Sequence, residues 1–92
     1  MTNHDVVVYV SSNCKQCEQV LSLLDDWGVT YQEINTSKDR DYMKELQKNN
    51  IYGTPATFIG NEIVLGLQKN KLKRELGLEA NKTFLYTSSF NR

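Results

Sequence analysis

Asp5-Val6-Val7-Val8-Tyr9-Val10-Ser11-Ser12-Asn13-Cys14-Lys15-Gln16-Cys17 changes its periodicity halfway along. Val6 to Val10 is a short, β-branched apolar run bounded by polar residues, the pattern of a parallel-sheet strand buried on both faces. Ser11-Ser12-Asn13 supplies turn and helix-capping chemistry. From Cys14 the spacing becomes three and four. Cys17, Val20, Leu21, Leu24 and Trp27 mark one face of an amphipathic helix, and Gly28 stops it. Val29-Thr30-Tyr31-Gln32-Glu33-Ile34 alternates and favours β structure, which predicts a second strand. Together these form a βαβ unit with parallel strands and a right-handed crossover.

Thr36-Ser37 begins a second predicted helix, with Asp39 and Asp41 near its positive end and Tyr42, Met43 and Leu46 as its buried stripe. Asn49-Asn50 ends it. Thr57-Phe58-Ile59 and Glu62-Ile63-Val64-Leu65 flank Gly60-Asn61, the signature of a tight antiparallel hairpin. After Gly66, a third helix from Lys69 to Leu76 turns Leu72 and Leu76 inward and ends at Gly77. The order is β-α-β-α-β-β-α: an α/β fold with a four-stranded mixed sheet and three flanking helices. Residues 1–77 form one domain. Residues 78–92 are a polar C-terminal extension with Phe84, Tyr86 and Phe90, and the pattern assigns it no element.

The chain has 92 residues, 39% hydrophobic and 24% charged, which suits a single globular domain. Eleven basic residues balance eleven acidic ones. That balance argues against nucleic acid or an anionic membrane as partner, since both demand a basic face. No apolar run approaches the roughly 20 residues of a membrane span. Residues 1–5 show neither a basic region nor a long apolar stretch, so no secretory signal is expected and the location expected is cytoplasmic.

The sequence has two cysteines. Cys14-Lys15-Gln16-Cys17 opens the helix that follows the first strand. Helix-start N–H groups lack intrahelical partners and carry the positive end of the macrodipole. Both stabilise a thiolate at Cys14, and Lys15 adds a nearby cation. Cysteines in such settings have pKa values lowered from about 8.5 to about 3.5–7.5. Cys17 lies one turn deeper and more shielded, so Cys14 is the attacking sulfur and Cys17 the resolving one. Three other readings compete. A structural disulfide across two residues closes too short a loop to stabilise much, and the cytosol reduces it. A zinc site wants four ligands, and the only further Cys or His is His4. Two inert core thiols would suit Cys17 but not Cys14 at a polar helix start.

Gly53-Thr54-Pro55 immediately precedes the third strand. Taken alone, an X-Pro bond at a strand opening is trans. In order and spacing, however, the first strand, Cys14-Lys15-Gln16-Cys17, Thr54-Pro55 and Gly66 after the hairpin resemble the glutaredoxins of the thioredoxin-like superfamily. The match runs from Val6 to Leu76. The resemblance implies that Pro55 is cis and lies beside Cys14, and that the Thr54 backbone pairs with an extended stretch of substrate. It also implies thiol–disulfide exchange through Cys14 and Cys17 as catalytic residues. Lys15, Gln16, Tyr52, Thr54, Pro55 and Gly66 are the candidate substrate-binding residues, with no metal ligand and no bound cofactor.

Departures from the family pattern bear on the electron donor. Glutathione-using glutaredoxins carry C-P-Y-C, a lysine three residues before the first cysteine and a Gly-Gly-x-Asp run after the hairpin. This chain has Lys15-Gln16, Ser11 and Leu65-Gly66-Leu67-Gln68 in those places, so anchors for the glutathione carboxylates are missing. Gln16 before the second cysteine instead resembles redoxins that feed ribonucleotide reductase and are recharged by thioredoxin reductase. Leu67-Gln68-Lys69-Asn70 does not reproduce the stretch those redoxins carry there. The expected activity is a small, monomeric dithiol carrier reducing protein disulfides, recharged by thioredoxin reductase with NADPH or by a low-molecular-weight thiol. The alternative is a non-catalytic module on the same fold that holds a metal or cluster. Tyr9 and Tyr52 are candidates to flank the groove. Trp27 is expected to pack the helix end, and Lys69, Lys71, Lys73 and Arg74 to form a solvated basic face.

Overall fold

In the computed structural model, which describes residues 5–78, the elements follow the order β1 (Val6–Val10), α1 (Lys15–Asp26), β2 (Gln32–Asn35), α2 (Arg40–Lys48), β3 (Ala56–Ile59), β4 (Glu62–Leu65) and α3 (Lys69–Glu75). The extension beyond Leu78, with its three aromatics, and His4 lie outside the described residues. The strands form one four-stranded sheet in the order β2-β1-β3-β4. β1 and β2 are parallel, while β1–β3 and β3–β4 are antiparallel. The hairpin closes at Ile59↔Glu62, and Gly60 takes φ +58° in the two-residue turn, the backbone such a turn requires.

Side-chain alternation divides the core between the two faces of the sheet. Val6, Val8 and Val10 pack with Ile59 and Val64 against Cys17, Val20 and Leu24 of α1 and Leu72 of α3. On the other face Leu46 of α2, Ile51 and Ala56 form a smaller cluster, with Tyr9, Met43, Phe58 and Ile63 at its margin. β1 is thus fully buried on one face and half-buried on the other, rather than buried on both. Two buried threonines differ in their hydroxyls. Thr36 donates its backbone N–H and its hydroxyl to the Val10 carbonyl, at 2.7 and 3.0 Å. Thr57, facing Val8 and Val64 across the sheet, is fully buried and its hydroxyl has no partner among the described residues.

Boundaries shift where capping competes with strand or helix. Gly28 (φ +70°) and Val29 close α1 with N–H bonds to Asp25 and Leu24 carbonyls, a Schellman arrangement. That use of Val29 keeps β2 from starting before Gln32. The second helix begins at Arg40, not at Thr36, because Asp39 accepts from the Asp41 N–H as its cap while Thr36 is held by β1. Asn50 (φ +62°) and Ile51 end α2 with the same pair of bonds, to Gln47 and Leu46 carbonyls.

Candidate active site

The sheet order places β1 and β3 side by side at its centre. Because they run antiparallel, with Tyr9 opposite Ala56, the exit of β1 lies next to the entrance of β3. The segment 11–14 and the segment 53–55 therefore meet at one end of the sheet, although some forty residues separate them in sequence. Ser11 Oγ and Thr54 Oγ1 are 2.7 Å apart and share a hydrogen bond. The Thr54–Pro55 bond is cis, as the family resemblance implies.

The loop into α1 is held at three consecutive residues: Val10 through its carbonyl to Thr36, Ser11 to Thr54, and Ser12 through its N–H to Ser37 Oγ at 3.0 Å. Asn13 turns the chain with φ +58°, a conformation asparagine tolerates better than most residues. Cys14 itself is then the N-cap of α1. Its Sγ accepts from the Cys17 N–H at 3.1 Å, and its carbonyl accepts from the Glu18 N–H. The capping role that Ser11-Ser12-Asn13 suggests thus falls to the cysteine sulfur, which satisfies one of the orphan helix-start donors.

Cys14 and Cys17 are joined by a disulfide, with their Cα atoms 5.2 Å apart. Cys14 is half-buried whereas Cys17 is only 2% exposed and belongs to the α1 core face. Cys17 is thus the more shielded of the two, as its place one turn deeper predicts. Lys15 and Gln16 between them are exposed. Gln16 reaches toward Gly66, where a Cβ would stand 3.9 Å from its Oε1. Gly66, with φ +73°, donates its N–H to the Pro55 carbonyl at 2.9 Å. The path Ser11–Thr54–Pro55–Gly66–Gln16 thus runs from one side of the cysteine turn back to the other.

Tyr52 (71% exposed), Leu65 (48%) and Leu67 (38%) are the exposed large hydrophobic residues among those described. Each sits within two residues of Thr54 or Gly66, so the apolar surface collects along that path. The sequence pattern does not single out Leu65 or Leu67 as binding residues, because strand alternation does not tell that Leu65 faces solvent on the edge strand. Tyr9 turns away from the site. Its ring packs edge-on against Phe58 on the α2 face, and its hydroxyl donates to Glu45. Burial, followed by that hydrogen bond, raises the Tyr9 pKa above 10.0, and burial with a bond to Asp25 does the same for Tyr31. Trp27 caps α1, packs on the core and carries Lys73 Nζ 5.9 Å from its ring centroid.

An open cleft of about 630 Å³ lies elsewhere, along β2 and the start of α2, and holds neither cysteine. It follows the edge strand β2. Among the described residues no group of three or more His, Cys, Asp or Glu is placed to hold a metal ion, and no helix is long and apolar enough to cross a membrane.

Residues 6–64 match the glutaredoxin family model. The thioredoxin-like protein BC3987 has a similar structure, at TM-score 0.73 and 30% identity, covering 77% of this chain and 99% of that one. The glutaredoxin of Archaeoglobus fulgidus matches at TM-score 0.73 and 25% identity, over 79% of this chain and 86% of its own. NrdH-redoxin from Escherichia coli shares the fold at TM-score 0.72 and 17% identity, over 76% and 92%. No curated protein sequence matches the chain. With a family match that covers well over half of the chain and includes both cysteines, the chain belongs to the glutaredoxin family.

Proposed function

We propose that this protein is a small dithiol electron carrier that reduces disulfides in other proteins. The observation that carries the reading is the Cys14–Cys17 disulfide at the start of α1, with one sulfur half-exposed and the other buried. In the reduced form the Cys14 thiolate attacks one sulfur of a substrate disulfide. A Cys14–substrate disulfide forms and the first substrate thiolate leaves, taking up a proton. Cys17 then gives up its proton and attacks the Cys14 sulfur, releasing the second substrate thiolate. Two electrons have moved to the substrate, and the Cys14–Cys17 disulfide is the product. Helix-start N–H groups, with that of Cys17 already bonded to Cys14 Sγ, stabilise the thiolate that begins the cycle.

Thr54, preceding the cis Pro55, offers its backbone to an extended substrate segment. Tyr52, Lys15, Gln16 and Gly66 border that segment, and the exposed Leu65 and Leu67 extend the border. No bound cofactor or metal takes part; an external donor restores the dithiol. With Ser11 where glutathione-using relatives carry lysine, thioredoxin reductase with NADPH is the favoured donor over glutathione, and ribonucleotide reductase is a candidate acceptor. The protein works as a cytoplasmic monomer. Nothing favours the metal- or cluster-holding alternative: among the described residues no group of three or more His, Cys, Asp or Glu is placed to hold a metal ion.

Cys17→Ser should trap substrate proteins as mixed disulfides through Cys14, and Cys14→Ser should trap none and lack reductase activity. Full activity in Cys14→Ser would overturn the mechanism. NADPH oxidation through thioredoxin reductase, compared with glutathione and its reductase, decides the donor; turnover with glutathione alone would reverse that part of the reading.

A further inference from the structure

Thr54 and Pro55 are held from two sides. On one side the Pro55 carbonyl accepts from the Gly66 N–H. On the other, the only side-chain hydrogen bond to this segment among the described residues is the one shared by Ser11 Oγ and Thr54 Oγ1 at 2.7 Å. Ser11 is itself fixed, because its neighbours Val10 and Ser12 are bonded to Thr36 and Ser37. The hydroxyl pair therefore ties Thr54 to a loop that is anchored independently and that leads in three residues to Cys14.

We propose that Ser11 is a positioning residue for the exchange reaction, setting the register between the substrate-pairing backbone at Thr54 and the sulfur of Cys14. This rests on the function proposed above. A substrate segment laid along Thr54 delivers its disulfide to Cys14 only if the two loops keep their offset. Attack by a thiolate is in-line and demanding in distance, so a loosely held offset weakens productive binding. Both hydroxyls are only half-buried, so loss of one leaves the other to water and the fold intact. The pair therefore bears on alignment rather than on stability. A disulfide with no peptide backbone cannot use that alignment.

Substrates with a common leaving group separate the two cases. One is an extended peptide joined through cysteine to 2-nitro-5-thiobenzoate; the other is the same mixed disulfide made with 2-mercaptoethanol. Pre-reduced protein is mixed with each in excess and release of the coloured thiolate is followed in a single turnover. Ser11→Ala and Thr54→Val should each raise the half-saturating peptide concentration about two- to tenfold, the worth of one net hydrogen bond, with little change in limiting rate. The double variant should be no worse than either single one, and Ser11→Thr should restore the wild-type value. The preference for peptide over small disulfide should fall accordingly. Equal losses on both substrates, additive losses in the double variant, or no loss at all would overturn the proposal. Wild-type protein that released no thiolate from either substrate would instead overturn the proposed function.

Discussion

The Cys17 N–H donates to Cys14 Sγ at 3.1 Å, so the half-exposed sulfur serves as the cap of the helix it begins. A sulfur that satisfies an orphan helix donor gains more from that donor as an anion than as a neutral thiol.

Alkylation kinetics should show this. In reduced Cys17→Ser protein, Cys14 should react with iodoacetamide along a pH profile whose midpoint lies below the ordinary thiol value of about 8.5. In Cys14→Ser protein, Cys17, only 2% exposed, should react about tenfold more slowly or less at neutral pH. Comparable rates for the two thiols would contradict the division between attacking and resolving sulfur.

The two buried threonines should respond to valine with opposite signs. Thr36→Val deletes a hydroxyl bonded to the Val10 carbonyl and should cost about 1 kcal/mol of unfolding free energy. Thr57→Val removes a buried hydroxyl without a partner among the described residues and should gain about 1 kcal/mol, since that group is desolvated for no return. Urea titrations of both variants give the comparison directly.

Alkaline stability should depend on Tyr9 and Tyr31. Both have folded pKa values raised above 10.0, so the folded state keeps these protons after the unfolded chain has begun to lose them. Their contribution is complete below pH 10 and is lost as pH rises through the folded values. Unfolding free energy measured between pH 8 and 11 should fall at the upper end, and Tyr9→Phe should make that fall shallower.

Gly66 holds φ +73° with open space around a would-be Cβ, the nearest atom being Gln16 Oε1 at 3.9 Å. The penalty of substitution is therefore one of backbone, about 1–2 kcal/mol for alanine. Asparagine should be tolerated better than valine at this position. Thermal melts of the three variants should rank alanine between the other two.

Much of this was legible in the residues themselves. The change of period at Cys14 located β1 and α1, Gly60-Asn61 located the hairpin, and Thr54-Pro55 with the cysteine pair pointed to the candidate site. What escaped was decided by competition for single groups. Val29 has the residue type of a strand, yet its N–H completes the end of α1. Thr36 and Ser37 have the chemistry of a helix cap, yet they are used by Val10 and Ser12, which leaves Asp39 to start α2. The Ser11–Thr54 bond joins residues 43 apart, and no local pattern announces it. Nor does alternation reveal that Leu65 and Leu67 stand open to solvent, because that depends on which strand forms the edge of the sheet.

The disulfide spans two residues within a single turn of α1. The bonds that join distant parts of the chain, from Val10 to Thr36, Ser11 to Thr54 and Gly66 to Pro55, involve neither sulfur. The disulfide is thus confined to one corner of one helix, apart from the bonds that hold the loops together. Opening it in the proposed cycle would take no partner from any of those long-range bonds.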